Sequence, residues 1–264
     1  GGKEGLYQVI VDREVTERGL ARSRTVAAVR IKEGRVRVNG AVAVKPSAVV
    51  GPEDEITLDA SAGDEYVSRA GHKLVGALER FADVDPAGLR CLDAGASTGG
   101  FTDVLLRRGA REVLAVDVGH DQLVPQLRED PRVRVFEGLN VRYLDPAQIG
   151  GPADLTVCDL SFISLTLVLP ALAGATRAGG DLLLMVKPQF EVGVHNLSRT
   201  GVVTSETARE ASVRRVTACA EDTGLDVLGT APSPLPGQDG NVEFFVHCRR
   251  PGARSASESS RSLG

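Results

Sequence analysis

The chain has 264 residues, of which 42% are hydrophobic and 25% are charged, and it contains 30 Gly and 13 Pro. These proportions are typical of a soluble globular protein and exclude a disordered or fibrous chain. No apolar run approaches the ~20 residues that a membrane-spanning helix needs, and the first residues lack the layout of a secretory signal. We therefore expect a cytoplasmic protein without a membrane partner. The length suggests two similar domains, or one large domain with a smaller companion.

The four cysteines, Cys91, Cys158, Cys219 and Cys248, are far apart, and none forms a CxxC pair. This spacing predicts neither a zinc site nor a disulfide framework, so no metal is expected. Free thiols of this kind are typical of a protein in a reducing compartment.

The formal net charge of -4 hides two oppositely charged regions. Residues 13–45 contain nine Lys or Arg against three acids, a net of +6, whereas residues 46–264 contain 21 basic and 30 acidic residues, a net of -9. A basic head on an acidic body indicates that one end meets a polyanion. The alternative is a basic face that is merely solvated.

The basic region has the pattern of a folded domain. Ser23 is suited to cap a helix that runs to about Glu33, and Gly34 is suited to end it. The pair Asn39-Gly40 is a strong signal for a two-residue hairpin turn. Short strands are predicted at 35–38, 41–44 and 55–58. These elements predict a small α+β domain over residues 1–62.

Small polar residues at 61–65 mark the end of this domain. We therefore place a linker at 63–67 and a second domain at 68–250. The Ser- and Arg-rich tail at 251–264 has little apolar content and is expected to be disordered.

From Ser68 onward, short apolar runs alternate with helical stretches, a pattern that predicts a parallel sheet with crossover helices. Ser68 is expected to cap a helix that runs to about Phe81. Strands are predicted at 90–93, 112–117, 132–136, 154–159, 181–187, 225–230 and 241–248, and further helices at 100–109, 121–129, 163–176 and 205–223. The segment 188–204 has no clear period and is long for a loop in such a fold, so it is a candidate functional flap.

The segment DAGASTGGFT, residues 93–102, lies between a predicted strand and a predicted helix. Its glycines let the backbone approach a ligand, and the start of the helix offers unpaired N–H groups to an anion. Asp117 ends the next strand, where a carboxylate can accept hydrogen bonds from both ribose hydroxyls of a nucleoside cofactor. The spacing is not GxGxxG, so a dinucleotide is not the first choice. The structural alternative is a turn that merely connects a strand to a helix.

The same segment matches the GxSxG nucleophile elbow, with Ser97 between Gly95 and Gly99. A hydrolase of this kind would need a later acid and a later His, for which His195 and His247 are the candidates at adequate distance. No HGGG-type oxyanion segment precedes the turn, so the nucleoside interpretation is favoured.

Two charged residues end later strands. Asp159, in DLSF, would point into the crevice where α/β sheets bind ligands, or would cap the following helix, or both. Lys187, in VKPQF, is either a solvent-facing strand end or a partly desolvated amine suited to steer or take a proton. Lys73 and Glu243 by themselves would be ordinary charges on solvated faces of a helix and a strand.

Taken together, six segments resemble the TlyA family of ribose 2′-O-methyltransferases, proteins often labelled haemolysins, and more broadly the FtsJ-type rRNA methylases. They are LARSRTVAAVRIKEGRVRVNG, YVSRAGHKLVGALE, CLDAGASTGGFTDVLLRRGA, DLSFISL, MVKPQFEVG and SPLPGQDGNVEFF, and the resemblance runs from about residue 12 to residue 248. It implies a Rossmann-like α/β methyltransferase fold that uses S-adenosylmethionine (SAM). It also implies a small N-terminal RNA-binding domain of the kind named after a small-subunit ribosomal protein.

The resemblance places the family's Lys-Asp-Lys-Glu tetrad on Lys73, Asp159, Lys187 and Glu243. It implies that Lys187, tuned by Asp159 and Glu243, steers or accepts the proton of a ribose 2′-hydroxyl that Lys73 positions. The implied SAM contacts are Asp93, Gly95, Ser97, Gly99, Phe101, Asp117 and Asn140. The basic residues expected to bind RNA are Arg13, Arg18, Arg22, Arg24, Lys32, Arg35, Arg37, Lys45 and Arg69.

The implied target is cytidine in ribosomal RNA, with ribosomal RNA or a ribosomal subunit as the partner and a monomer favoured. Arg30 stands where the family's RNA-binding domain usually has a core Leu, so it either points inward or turns outward toward a phosphate.

Three other functions are left open. One is base N-methylation, because DLSF loosely resembles the (N/D)PP(Y/F) motif of amino methylases. The others are a ribosome-binding protein that no longer catalyses and a membrane-active haemolysin, for which no strongly amphipathic segment is evident.

Overall fold

The computed structural model describes residues 9–43, 45–59, 66–237 and 239–252. The chain divides into two compact units, Gly1–Glu65 and Tyr66–Gly264. This division falls inside the linker predicted at 63–67, of which residues 63–65 lie outside the described residues. Residues 253–264 of the predicted tail also lie outside them. The predicted domain bounds therefore stay a prediction.

The first unit is built from two helices and five short strands within the described residues. In chain order the elements are β1 (Val9–Ile10), α1 (Val11–Glu17), α2 (Arg24–Lys32), β2 (Val36–Val38), β3 (Ala41–Val42), β4 (Val49–Val50) and β5 (Ile56–Leu58). β2 lies between β3 and β5 in an antiparallel sheet, and β1 pairs antiparallel with β4. The predicted α+β character is confirmed. The sequence patterns missed β1, α1 and β4, because such short elements show no period.

Local chemistry explains the second helix of this unit. The Ser23 hydroxyl accepts a hydrogen bond from the Val26 backbone N–H at 3.2 Å, so the predicted cap of α2 is confirmed. Gly34 follows the helix with φ 73°, a left-handed conformation that favours glycine. Arg30 is half-buried, and its Nη1 donates to the carbonyl of Leu20 at 2.6 Å. The guanidinium is therefore satisfied beside the small core, which is aliphatic and includes Val11, Val15, Ala27, Ile31, Val36 and Ile56.

The second unit alternates strands and helices. Its elements are α3 (Ala70–Arg80), β6 (Arg90–Ala94), α4 (Gly100–Arg107), β7 (Glu112–Val116), α5 (Pro125–Arg128), β8 (Val133–Phe136), β9 (Ala153–Cys158), α6 (Leu165–Gly174), β10 (Thr176–Val186), α7 (Glu206–Asp222), β11 (Asp226–Pro232) and β12 (Phe244–Arg249). Short 3-10 turns lie at 141–143, 146–149, 188–190 and 194–196. The last two fall in the predicted flap. Each of the seven predicted strands has a counterpart in this series.

The described strands of this unit form one sheet in the order β11-β12-β10-β9-β6-β7-β8. The run from β10 to β8 is parallel, whereas β12 is antiparallel to both of its neighbours. The expected parallel sheet is therefore confirmed from β10 to β8, and β12 departs from it. The cause is that the described residues of the connection at 233–243 form no crossover helix, which a parallel pair would need.

Two predicted helix starts are also corrected. The helix expected from Ser68 begins at Ala70, its N-cap is Arg69, and no side chain caps it. The Ser68 carbonyl instead accepts from the Gly71 N–H, so Ser68 belongs to the turn before the helix. The helix expected at 121–129 is reduced to α5, which starts at Pro125, since proline favours the first turn of a helix.

The sheet is covered on both faces, because alternate residues of each strand point to opposite sides. Cys91, Val113 and Leu183 share a buried cluster with residues of α3 and α4. Their chain neighbours Leu92 and Leu114 share the other cluster with residues of α6 and α7. In the part of the chain that the structure describes, no helix combines the length and the apolar character needed to cross a membrane.

Candidate active site

One edge of the sheet gathers the charged residues that the sequence singled out. Ala94, Cys158 and Leu184 are paired across β6, β9 and β10, so these parallel strands end side by side. The antiparallel β12 begins at the same edge, where Phe244 pairs with Val186. Asp159, Lys187 and Glu243 each lie one residue beyond these strand ends. The topology therefore brings together residues that are far apart in the chain.

The first charged pair joins the loops after β9 and β10. Lys187 Nζ lies 2.5 Å from Asp159 Oδ1 and donates a hydrogen bond to Ser161 Oγ at 3.0 Å. Both side chains of the pair are mostly buried, with 11% and 19% exposed. Asp159 does not cap the following helix, because α6 is capped by Ser164. The prediction that Asp159 caps the following helix is therefore wrong, and its carboxylate forms an ion pair with Lys187 instead.

The second charged pair joins helix α3 to the start of β12. Lys73 Nζ donates to Glu243 Oε1 at 3.0 Å, and the exposed fractions of the two side chains are 10% and 2%. Glu243 Oε2 accepts a further hydrogen bond from Gln189 Nε2 at 3.0 Å. The tetrad is thus arranged as two ion pairs. The expectation that Glu243 acts on Lys187 is corrected: the described contacts of Glu243 are with Lys73 and Gln189.

The glycine-rich turn passes directly beside this edge. Gly95 has φ 87°, and a Cβ atom there would lie 2.2 Å from the backbone oxygen of Asp159. Glycine is therefore required for the turn to approach the loop after β9. Gly99 has φ 109°, and a Cβ there would lie 2.3 Å from Leu127. The two glycines hold the turn between the sheet edge and the region around α5.

Asp93 lies at the base of this turn and is fully buried. Its Oδ2 accepts from Thr102 Oγ1 at 2.7 Å, whereas its Oδ1 has no hydrogen-bond partner among the described residues. Burial raises the pKa of Asp93 to about 7, and Thr102 opposes this shift. A buried oxygen without a partner at a ligand-binding edge is suited to a ligand that carries a hydrogen-bond donor.

Asp117 organises the far side of the turn. Its two carboxylate oxygens accept from the backbone N–H groups of Ser97 at 2.7 Å and Gly119 at 2.8 Å. A carboxylate offers about four acceptor positions, so capacity is left for ribose hydroxyls. A small cleft beside Asp117 is lined by these residues together with Gln122 and Leu123.

Two other predicted cofactor residues have different surroundings. Phe101 is buried and stacks on Phe245, with ring centroids 6.3 Å apart, so its side chain belongs to the core. Asn140 is exposed and accepts from the Arg142 backbone N–H at 3.0 Å, which caps the turn at 141–143. The neighbouring Leu139 N–H bonds to the Asp117 carbonyl, so Asn140 lies close to the end of β7. The predicted contacts of both residues with SAM stay predictions.

Phe162, three residues after Asp159, was not among the predicted site residues. Its side chain is 90% exposed, its φ is 64°, and its ring centroid lies 5.0 Å from that of Phe190. A bulky residue in a left-handed conformation is uncommon and marks a strained loop. Exposure and a single backbone angle leave no periodic signal, so the sequence pattern could not identify this residue.

The basic residues of the first unit divide into two groups. Arg18 donates to the backbone oxygens of Asp54 and Gly51, and Arg35 has only 11% of its side chain exposed and bonds to the Asp59 carbonyl. These bonds give both arginines a structural role within the unit. Arg13, Arg22, Arg24, Lys32 and Lys45 are exposed, and Arg13 and Arg24 form surface ion pairs with Glu17 and Asp12. Arg37, with 41% of its side chain exposed, bonds to the Asp59 carboxylate and the Gly40 carbonyl. Arg69, in the second unit, is half-buried at the start of α3.

The hydrolase alternative finds no support in the geometry. His247 is buried in β12 with its Nε2 3.4 Å from Asp181, and His195 is exposed in the turn at 194–196. No hydrogen bond joins Ser97 to either His in the described ranges. The same ranges also contain no group of three His, Cys, Asp or Glu side chains that could hold a metal ion.

The sheet order, the glycine-rich turn after β6 and the charged residues at the strand ends define a Rossmann-like methyltransferase. A sequence model of the FtsJ-like methyltransferase family matches residues 66–250, and one of the S4 domain matches residues 11–56. The chain belongs to the TlyA family of FtsJ-like methyltransferases, which confirms the resemblance and the predicted fold class.

Two curated relatives illustrate this membership. The chain is 52% identical over 239 residues to the 16S/23S rRNA (cytidine-2'-O)-methyltransferase TlyA of Mycobacterium tuberculosis, covering 90% of this chain and 89% of that protein. It is 34% identical over 238 residues to Hemolysin A of Brachyspira hyodysenteriae, covering 90% and 98%. Both labels expected from the resemblance, methyltransferase and haemolysin, therefore occur among its relatives.

Solved structures agree with this fold. A hemolysin-named protein from Streptococcus thermophilus is similar with a TM-score of 0.75 and 39% identity, covering 96% of this chain and 93% of that one. A SAM-dependent methyltransferase from Mesorhizobium loti has a TM-score of 0.52 at 16% identity, covering 67% of this chain and 98% of that one. The second likeness concerns the fold alone.

Proposed function

We propose that this protein transfers a methyl group from SAM to a ribose 2′-hydroxyl of ribosomal RNA, at a cytidine. The observation that carries the proposal is the pair of buried ion pairs, Lys187 with Asp159 and Lys73 with Glu243, at the edge beside the glycine-rich turn. The printed activity of the Mycobacterium tuberculosis relative supports the choice of ribose, of ribosomal RNA and of cytidine.

The residues around the turn fit SAM. Asp93 Oδ1 is a buried acceptor without a partner in the described chain, which suits the ammonium group of the methionine part. Gly95 and Gly99 keep the turn free of side chains, and Asp117 has acceptor capacity for the ribose hydroxyls. When bound, SAM supplies an activated methyl group on a sulfonium, so the chemistry needs no metal.

The side chains at the edge act on the other substrate. The 2′-hydroxyl oxygen forms a bond to the methyl carbon while the bond from sulfur to that carbon breaks, and the hydroxyl proton passes to water. Lys187, held by Asp159 and Ser161, is placed to orient this hydroxyl and to steer its proton. Lys73, held by Glu243, stabilises the negative charge that develops on the oxygen.

An exposed aromatic ring is available for the target base. Phe162 follows Asp159 by three residues, and its ring is 90% exposed. Proteins that recognise unstacked RNA bases commonly stack them on aromatic side chains. We infer that Phe162 stacks on the target base while the attached ribose reaches Lys187.

The first unit is proposed to hold the RNA backbone. Its exposed cations, Arg13, Arg22, Arg24, Lys32 and Lys45, together with the half-buried Arg37, offer phosphate contacts that position the substrate with little reading of its sequence. A cytoplasmic location and a ribosomal subunit as the partner follow from this proposal.

A methylation assay on ribosomal RNA and on isolated subunits tests the function, with mapping of the methyl group to ribose or base. We expect a 2′-O-methylated cytidine. Replacing Lys187 by Ala is expected to lower the rate at least ~100-fold, since proton transfer and orientation each contribute at this scale, while SAM binding remains. The matched control is Arg214→Ala, which removes a positive charge from an exposed position of α7 outside the site.

Four outcomes would contradict parts of this assignment. A methyl group on the base favours base N-methylation. Binding to ribosomal subunits without turnover favours a protein that no longer catalyses. Full activity of Lys187→Ala removes the proposed role of that lysine. Lysis of liposomes by the pure protein would instead support a membrane-active haemolysin.

A further inference from the structure

Gln189 was not among the predicted site residues, yet it contacts one of them. Gln189 Nε2 donates to Glu243 Oε2 at 3.0 Å. The other carboxylate oxygen of Glu243, Oε1, accepts from Lys73 Nζ at 3.0 Å. One carboxylate, only 2% exposed, is therefore held by donors from two separate elements. One donor comes from α3 and the other from the turn that follows β10.

The orientation of the Gln189 amide is determined by this contact. If the amide were reversed, its oxygen would face the Glu243 carboxylate, and both groups would be acceptors. In the observed orientation the Gln189 oxygen, Oε1, is buried and accepts no hydrogen bond from the described residues. A buried acceptor without a partner costs free energy. The bond to Glu243 therefore outweighs the loss on the oxygen side of the amide.

The amide also suits the charges around Glu243. A lysine at position 189 would compete with Lys73 for the Glu243 carboxylate, and an acidic residue there would repel that carboxylate. Glutamine is a neutral donor, so it fixes the carboxylate and leaves the negative charge of Glu243 available to Lys73. The ion pair is thereby kept in one geometry.

The backbone of the loop before β12 closes the other side of Glu243. A Cβ atom at Gly237 would lie 2.7 Å from Glu243 Oε2, the oxygen that Gln189 holds. The Gly237 N–H donates to the Asn241 carbonyl at 2.8 Å, so this part of the loop is held in place. Only a residue without a side chain leaves room for the observed carboxylate position.

We propose that Gln189 is a positioning residue for methyl transfer, which holds Glu243 so that Lys73 stays directed at the ribose 2′-hydroxyl. The proposal rests on the proposed function and adds a residue to it. Gln189 acts through Glu243 and need not touch either substrate.

Two substitutions of similar size separate positioning from a merely structural role. Gln189→Met removes the donor, and we expect kcat to fall about tenfold with KM for RNA within about twofold, the range for a lost hydrogen bond to a charged group. Gln189→Glu places a second carboxylate beside Glu243. The control is Gln126→Glu, the same change on the exposed face of α5.

The pH profile of Gln189→Glu supplies the decisive readout. The charged group in contact with Glu243 among the described residues is Lys73 from α3, and the Lys187–Asp159 pair lies at the ends of the neighbouring strands. Two adjacent carboxylates repel each other when both are ionised, and a shared proton restores a hydrogen bond between them. The activity of Gln189→Glu relative to the wild type is therefore expected to rise as the pH falls, while that of Gln126→Glu stays constant.

Gly237→Ala gives an independent check, because its methyl group would displace the same oxygen of Glu243. We expect it to lower kcat as Gln189→Met does, with SAM binding retained. Wild-type kcat in Gln189→Met, or a wild-type pH profile in Gln189→Glu, overturns the proposal while the active wild-type enzyme upholds the proposed function. An inactive wild-type protein would instead contradict the proposed function itself.

Discussion

Asp93 shows how a single residue links the site to stability. Its carboxyl is fully buried, one oxygen has no partner among the described residues, and burial raises its pKa from 3.8 to about 7. At a pH between these two pKa values, the Asp93 carboxyl is ionised in the unfolded chain and still protonated in the folded protein. Stability from this group is therefore lost as the pH rises from about 4 to about 7.

Asp93→Asn is expected to remove the loss of stability that Asp93 causes as the pH rises. The variant should become more stable relative to the wild type as the pH rises through the same window, by at most about 4 kcal/mol, the value of a shift of three pKa units. Denaturant unfolding at several pH values checks the difference. Asp222→Asn, at an exposed position of α7, is the control and should show no such trend. A pH-independent difference for Asp93→Asn would contradict the explanation.

At the scale of elements, the loops that carry the site are joined by a buried acid. Glu191, 4% exposed, accepts from the Ser164 hydroxyl at 2.6 Å and from the Leu165 N–H at 2.8 Å. Burial raises the pKa of this carboxyl, and the two hydrogen bonds oppose the shift. Glu191 thus ties the segment after Lys187 to the start of α6, close to the loop that carries Asp159.

Glu191→Ala is expected to lower the free energy of unfolding by about 2 kcal/mol, because the Leu165 N–H and the Ser164 hydroxyl lose a buried partner. The methylation rate should also fall, since the loops with Lys187 and Asp159 lose one of the contacts that join them. Thermal unfolding and the rRNA assay measure the two effects. Glu210→Ala, an exposed acid on α7, provides the comparison. Unchanged stability would rule out this role of Glu191.

Several elements could be predicted and others could not. The Ser23 cap, the hairpin turn at Asn39-Gly40 and the strands of the second unit follow from local patterns, and the structure contains them. β12 was predicted as a strand, but its antiparallel direction was not. Direction depends on the path of the loop at 233–243, which carries no periodic signal. The short β1, α1 and β4 were missed for the same reason.

For the whole molecule, the charge difference between the two regions predicts that the first unit binds the RNA backbone. The first unit presents exposed cations, and binding through phosphate contacts depends on salt because each contact releases counterions. Arg18 and Arg35, whose side chains are only 26% and 11% exposed and bond to backbone oxygens of the unit, are expected to add little to this dependence.

A triple variant tests this expectation. Replacing Arg13, Arg24 and Lys32 by Ala should weaken RNA binding and reduce the slope of log K against log salt by about 2, at ~0.7 per contact with single-stranded RNA. SAM binding should not change. A triple Ala variant at Arg108, Arg111 and Arg214 removes the same charge from exposed positions of the second unit. An equal loss of RNA binding in both variants would contradict a specific role for the first unit.

The sequence by itself determined the class of fold, the division into a basic and an acidic region, and the identity of the tetrad residues. The first two features depend on local periodicity, composition and motif spacing, which are properties of the chain alone, whereas the tetrad was implied by the resemblance to the TlyA family and its catalytic role stays a prediction. The tertiary structure decided which charges are paired: Lys187 with Asp159, and Lys73 with Glu243 and Gln189. These residues meet because strands that are distant in the chain end at one edge of the sheet, and no local pattern contains that information.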